Sequence, residues 1–106
     1  MDTKKNRIIL DVVSKYIKNL KKNGVRFTEI YLFGSYIKGT CNPDSDIDLA
    51  IVLNKKNIDR FNERLKLMKL RWDVDLRIEP HPFSKEDFNK TDPFVKEITA
   101  TGLKIV

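Results

Sequence analysis

Hydrophobic positions along this chain follow two rhythms, and the switches between them mark its elements. Between residues 4 and 23, Ile9, Val13, Tyr16, Ile17 and Leu20 recur at three- and four-residue intervals, which predicts a helix with one buried face. Asp2 or Thr3 can cap its start and Gly24 can end it. Arg26 to Phe33 is rich in β-branched and aromatic residues and reads as a strand broken by Gly34. Ser35 to Lys38 has room only for a short helical turn before Gly39, and Thr40 to Ser45 has the composition of a loop. Ile47 to Leu53 gives a second strand.

The helical rhythm returns over Ile58 to Lys69, with Phe61, Leu65 and Met68 (Leu67 alongside) as the expected buried stripe. Trp72 to Ile78 alternates, with Trp72, Val74, Leu76 and Ile78 on one face and Asp73, Asp75 and Arg77 on the other, which predicts a third strand. Two prolines in Glu79-Pro80-His81-Pro82 are expected to stop it, because proline cannot continue a central strand. Ser84 with Asp87 resembles the capping pair of a short helix. Asp92-Pro93 starts another helix, which runs to about Ala100 and closes at Gly102, and Leu103 to Val106 can add a final short strand. The order α-β-β-α-β-α(-β) implies an α/β fold, a small mixed sheet flanked by helices.

The 106 residues are expected to form one domain, residues 1–106, with 41% hydrophobic content typical of a globular chain. No apolar run reaches the roughly 18–20 residues that span a bilayer, so membrane insertion is not expected. One cysteine, Cys41, excludes an internal disulfide framework. With no signal-peptide pattern at the start, these features point to a cytoplasmic protein. The net charge of +6 belongs to the first segment: residues 1–26 carry eight Lys/Arg and two acids, while the other 80 balance. That stretch reads as a surface for nucleic acid or an acidic partner, or as the solvated face of a helix.

The chemistry concentrates in Leu32-Phe33-Gly34-Ser35, followed after a ten-residue gap by Asp46-Ile47-Asp48-Leu49. Glycine lets backbone approach a ligand closely, and the free amides of a helical start attract phosphate oxygens. Asp46 and Asp48 are two apart, so their carboxylates share a face. Beside a phosphate-binding turn they make a hard-oxygen site suited to Mg²⁺, and two such ions could activate an attacking oxygen and stabilise leaving pyrophosphate. A third carboxylate is offered by Asp73 or Asp75, between which alternation does not choose. His81, the one histidine, could accept a proton from an acceptor hydroxyl, although its flanking prolines read as those of a fixed loop residue.

Gly34-Ser35-Tyr36-Ile37-Lys38-Gly39-Thr40, with Pro43-Asp44-Ser45-Asp46-Ile47-Asp48-Leu49-Ala50 after it, resembles the signature of the polymerase-β-like nucleotidyltransferase superfamily, in particular its minimal (MNT) members. The resemblance implies the nucleotidyltransferase fold, with Gly34 and Ser35 on the triphosphate, Asp46 and Asp48 on the metal ions, and Lys38 reaching the nucleotide. It also favours Asp75, within Val74-Asp75-Leu76, as third catalytic and metal-binding carboxylate. Tyr36 stands where many members carry an arginine. Such proteins commonly pair with a helical HEPN protein as the antitoxin of a toxin–antitoxin system, and some transfer AMP from ATP to that partner. The resemblance therefore implies a Mg²⁺-dependent transfer of AMP to a hydroxyl of a HEPN-type partner. The alternatives are an antitoxin acting by binding alone and a nucleic-acid-binding module using the basic first helix. With no room for an acceptor-binding domain, the acceptor is expected on another chain or on a second copy in a homodimer.

Overall fold

The computed structural model describes residues 3–39 and 45–106, with side chains from Arg7 onward. The expected cap at Asp2, most of the loop from Thr40 and the cysteine at 41 lie outside the described residues. The elements are α1 (Thr3–Lys22), β1 (Phe27–Phe33), α2 (Ser35–Lys38), β2 (Ile47–Leu53), α3 (Arg60–Lys69), β3 (Ile78–Phe83), α4 (Pro93–Thr101) and β4 (Leu103–Lys104). The strands form one mixed sheet in the order β3-β2-β1-β4. β1 runs antiparallel to both β2 and β4, and β2 runs parallel to β3. This is the small mixed α/β sheet that the sequence implies.

Strand alternation sorts the apolar residues into two cores. Ile47, Leu49, Ile51 and Leu53 of β2 are buried with Ile30, Leu32 and Ile78 beneath α1 and Leu67 of α3. On the opposite face, Ala50 and Phe83 meet Val95 and Ile98 of α4. That second core is small and covers only part of its face. The remainder carries Asp48.

Helix α3 corrects the expected stripe. Asp59, not Ile58, marks its start by accepting a hydrogen bond from Asn62 N at 3.2 Å. Leu67 is 1% exposed, whereas Phe61 is 72% exposed and Leu65 also lies on the surface. The orientation is fixed from α1: Tyr16 Oη donates to Leu67 O and Asn19 Nδ2 to Leu70 O, each at 2.7 Å. Burial raises the Tyr16 hydroxyl pKa, which keeps it a donor.

The third strand is the larger correction. Residues 71–77 form turns, with Val74 N donating to Arg71 O at 2.9 Å and Asp75 N to the same oxygen at 3.0 Å. Pairing begins where Ile78 meets Ile47, and it continues through Pro80 and Pro82 to Phe83. The prolines are tolerated because β3 is an edge. Arg77 O accepts from Ile47 N at 2.8 Å, so odd-numbered peptide groups turn towards β2 and the even-numbered ones, both prolines included, turn outward. A proline there forfeits no ladder bond. The outward carbonyls of Ile78 and Pro82 accept from Arg71 Nη1 at 2.8 Å and Arg60 Nε at 3.2 Å, which also blunts the edge against further pairing.

The end of the chain follows expectation more closely. Asp92 caps α4 by accepting from Phe94 N at 2.9 Å, Pro93 opens the helix, and Gly102 N closes on Ile98 O at 2.8 Å. Ser84 Oγ does accept from Asp87 N, at 3.0 Å, but the bond closes a turn rather than a helix. Among the described residues no helix is long and apolar enough to cross a membrane.

Candidate active site

The site is built where β1 ends beside the start of β2. Phe33 pairs with Asp48 in the antiparallel register, so the next residue, Gly34, lies against the Asp48 side chain. Gly34 has φ 87° and ψ −149°, a conformation open to glycine and strained for any other residue. A Cβ on Gly34 would fall 2.5 Å from Asp48 Oδ2. Both the backbone angle and the contact therefore require glycine here. Ile37 N and Lys38 N close on Gly34 O at 3.1 and 3.0 Å to form α2, while the amides at its start have no intrahelical acceptor.

Asp48 is half-buried on the face shared with Ala50, and Asp46 is exposed just before the strand. On the neighbouring strand the parallel register sets Glu79 beside Asp48 and His81 beside Ala50. His81 Nε2 lies 3.1 Å from Asp48 Oδ1. Its ring packs 5.1 Å from Phe33 and 6.4 Å from Phe94, centroid to centroid. His81 is thus a strand residue in the site, not a loop residue.

Glu79 is held by two arginines, Arg64 Nη2 at 2.9 Å and Arg71 Nη1 at 3.2 Å. Asp75 lies in the turn before β3, not on a strand. Its carboxylate accepts from Arg77 N at 2.9 Å, Nε at 3.0 Å and Nη2 at 2.7 Å. These bonds hold its pKa below the usual carboxylate range, and burial opposes them only in part. Arg77 Nη1 also donates to Tyr36 Oη at 3.2 Å. Tyr36, at the position where many members of the superfamily carry arginine, is buried and anchors α2 to this turn.

Lys38 pairs with Glu97 of α4 at 3.3 Å, with both side chains more than half exposed. The two line a cavity of about 150 Å³ with Phe33, Gly34, Phe94, Ile98 and Thr101. Gly34, Asp48 and His81 are therefore brought together, and Asp46 precedes Asp48 by two residues. Asp73 is exposed and Asp75 is engaged elsewhere. Among the described residues no group of three or more His, Cys, Asp or Glu side chains is placed to hold a metal ion, so the expected convergence of three aspartates is not formed. Glu79 is not singled out by the sequence and His81 reads there as a loop residue, because their strand is expected six residues too early. With the strand at 78–83, alternation puts both on the Asp48 face.

A glycine turn pressed against an Asp-x-Asp strand on a mixed sheet is what the resemblance to nucleotidyltransferases implies. The chain belongs to the nucleotidyltransferase domain family, which it matches over residues 13–105. It is 44% identical over 66 residues to the protein adenylyltransferase MntA of Shewanella oneidensis, a match covering 59% of this chain and 48% of that protein. The matched stretch is thus about half the length of that relative. Among solved structures, a mutant MntA–HpeT toxin–antitoxin structure is similar with TM-score 0.60 and 26% identity, over 88% of this chain and 70% of the other. A toxin–antitoxin structure with AMP-PNP gives TM-score 0.56 and 25% identity, over 88% and 71%.

Proposed function

We propose that this chain transfers a nucleoside monophosphate, AMP from ATP, to a hydroxyl of a partner protein, and that it does so as the antitoxin of a toxin–antitoxin pair with a HEPN-type helical partner. The observation that carries the reading is the contact of Gly34 with Asp48, which joins a phosphate-accepting turn to a carboxylate strand without intervening side chains. The likeness to an adenylyltransferase and to toxin–antitoxin structures, one with AMP-PNP, supports the same reading.

The donor set fits Mg²⁺, since Asp46 and Asp48 supply two carboxylates and a triphosphate would supply further oxygens. Bound there, the ion would neutralise the developing charge on the phosphates. Gly34 and Ser35 would hold the β- and γ-phosphates, with Lys38 near the mouth of the site. The acceptor hydroxyl attacks the α-phosphorus, the bond to the β-phosphate oxygen breaks, and pyrophosphate leaves. Asp75 is poorly suited to take the hydroxyl proton, because Arg77 keeps its carboxylate ionised and makes it a weak base. Glu79, beside Asp48 in the register, is the better placed candidate for third carboxylate, and it would take that proton once nucleotide binding draws Arg64 or Arg71 away from it.

The test is transfer of label from α-phosphate-labelled ATP in an extract of the source cells, wild type beside Asp48→Asn. A labelled protein band seen only with wild type is expected. A band of equal strength with Asp48→Asn would refute the mechanism. A second reading, neutralisation by binding alone, draws on the exposed apolar side chains Phe61, Leu65 and Trp72 on and after α3, a kind of surface that proteins keep for partners. It predicts that Asp48→Asn still neutralises the partner.

A further inference from the structure

We propose that His81 is a nitrogen ligand of the cation site, so that the site takes a first-row transition ion of the Mn²⁺ kind in preference to Mg²⁺. The inference rests on the nucleotidyl-transfer reading, because it places the ion at Asp48.

The geometry comes first. His81 Nε2 and Asp48 Oδ1 stand 3.1 Å apart. Two cis ligands, each about 2.1 Å from an octahedral ion, are separated by about 3.0 Å. The pair is therefore spaced as neighbouring ligands already are, and an ion can enter beside it without moving either backbone. In the ion-free protein Nε2 stands within hydrogen-bonding distance of Oδ1. With the ion bound, its lone pair faces the metal and the neutral ring carries its proton on Nδ1.

Packing supports the same assignment. The imidazole packs against the rings of Phe33 and Phe94, which also meet each other at 5.6 Å, and both partners of the pair keep a quarter of their side-chain surface exposed. The ring thus has an aromatic wall on one side and remains partly open to a ligand. The edge position of β3 contributes too. Pro80 and Pro82 turn their ring nitrogens outward, and the residue between them presents its side chain beside Ala50 on the Asp48 face. A pair serving only to anchor the strand would not need an imidazole aimed at the one carboxylate that touches Gly34.

The chemistry then sets the preference. Mg²⁺ binds oxygen donors and is seldom ligated by imidazole, whereas imidazole with carboxylate suits transition ions, which also bind more tightly. No group of three or more possible ligands exists among the described residues, so phosphate oxygens and water complete the shell. Tight binding should therefore require the nucleotide.

The test uses Mn²⁺ with an ATP analogue blocked at the α–β bridge and the full chain purified without a histidine tag. Because the chain has one histidine, labelling histidine with ¹⁵N reports on His81 alone. Pulsed EPR is expected to show a ¹⁴N coupling on bound Mn²⁺ that becomes a ¹⁵N coupling in the labelled protein. His81→Gln should weaken Mn²⁺ binding by about 10- to 100-fold and Mg²⁺ binding by clearly less. Mn²⁺ that binds with the nucleotide but shows no histidine coupling overturns this inference and leaves the transfer reading standing. Equal losses for both ions overturn it as well, and no binding of ion with nucleotide overturns both readings.

Discussion

Gly34 approaches Asp48 so closely that a Cβ at position 34 would stand 2.5 Å from Asp48 Oδ2. The contact follows from the register, since Phe33 pairs with Asp48 and the chain must turn directly afterwards. Gly34→Ala meets two obstacles, the steric clash and the positive φ, each of which costs roughly 1–3 kcal/mol by itself. The carboxylate is the mobile partner, so the variant is expected to fold with a lowered denaturation midpoint and to lose nucleotide binding. Calorimetric titration with the ATP analogue and Mg²⁺ checks it. Binding at wild-type affinity would show that the close approach does not matter to the site.

The orientation of α3 gives a prediction opposite to the one its sequence invites. Leu67→Ala is expected to destabilise by about 2–5 kcal/mol because it empties a buried position. Phe61→Ser removes an exposed ring and should change stability by no more than about 0.5 kcal/mol. Urea denaturation of the two variants decides the matter, and a larger loss for Phe61→Ser would mean that the helix faces the other way.

These cases show which parts of the molecule were legible in the sequence. The start of α4 at Asp92-Pro93 and its end at Gly102 are set by local rules, and the observed bonds follow them. The Gly-Ser turn and the Asp-x-Asp strand were legible for the same reason, because each is a short-range pattern. The inward face of α3 was not, since Phe61 with Leu65 and Glu63 with Leu67 are both helically spaced, and only Tyr16 and Asn19, some fifty residues away, choose between them. The third strand was hidden by a sound rule in the wrong setting. Two prolines bar a central strand, but whether a strand is central depends on the whole sheet. The misplaced strand also narrowed the candidates for third carboxylate to Asp73 and Asp75 and left Glu79 of β3 out of consideration.

The Asp75–Arg77 pair should show in the pH dependence of stability. Arg77 lowers the carboxylate pKa in the folded protein, so the unfolded chain takes up its proton first as acid is added. The stabilisation is complete above the ordinary carboxylate value of about 4 and is lost as pH falls through the lowered folded value. Asp75→Asn is expected to cost about 1 kcal/mol at pH 7, near the low end for charge-assisted bonds, because Arg77 remains 32% exposed. The difference from wild type should shrink below pH 4. A gap that stays constant into acid would show that the pair contributes through packing, not charge.

The same variant, set beside Glu79→Gln, separates the two candidates for third carboxylate. Glu79 faces Asp48 across the parallel register, yet Arg64 and Arg71 hold its carboxylate, so stability and chemistry must be told apart. Arg64→Met removes one restraint and leaves the carboxylate, and it is expected to keep transfer. Glu79→Gln should lower transfer on the order of 10²-fold, the scale of losing one preorganised electrostatic group. Asp75→Asn should leave transfer by the folded protein close to wild type. Single-turnover transfer of labelled AMP to the partner, scaled to the folded fraction from circular dichroism, measures all three. The reverse ranking would return the role to Asp75 and require the turn at 71–77 to release Arg77 when nucleotide binds.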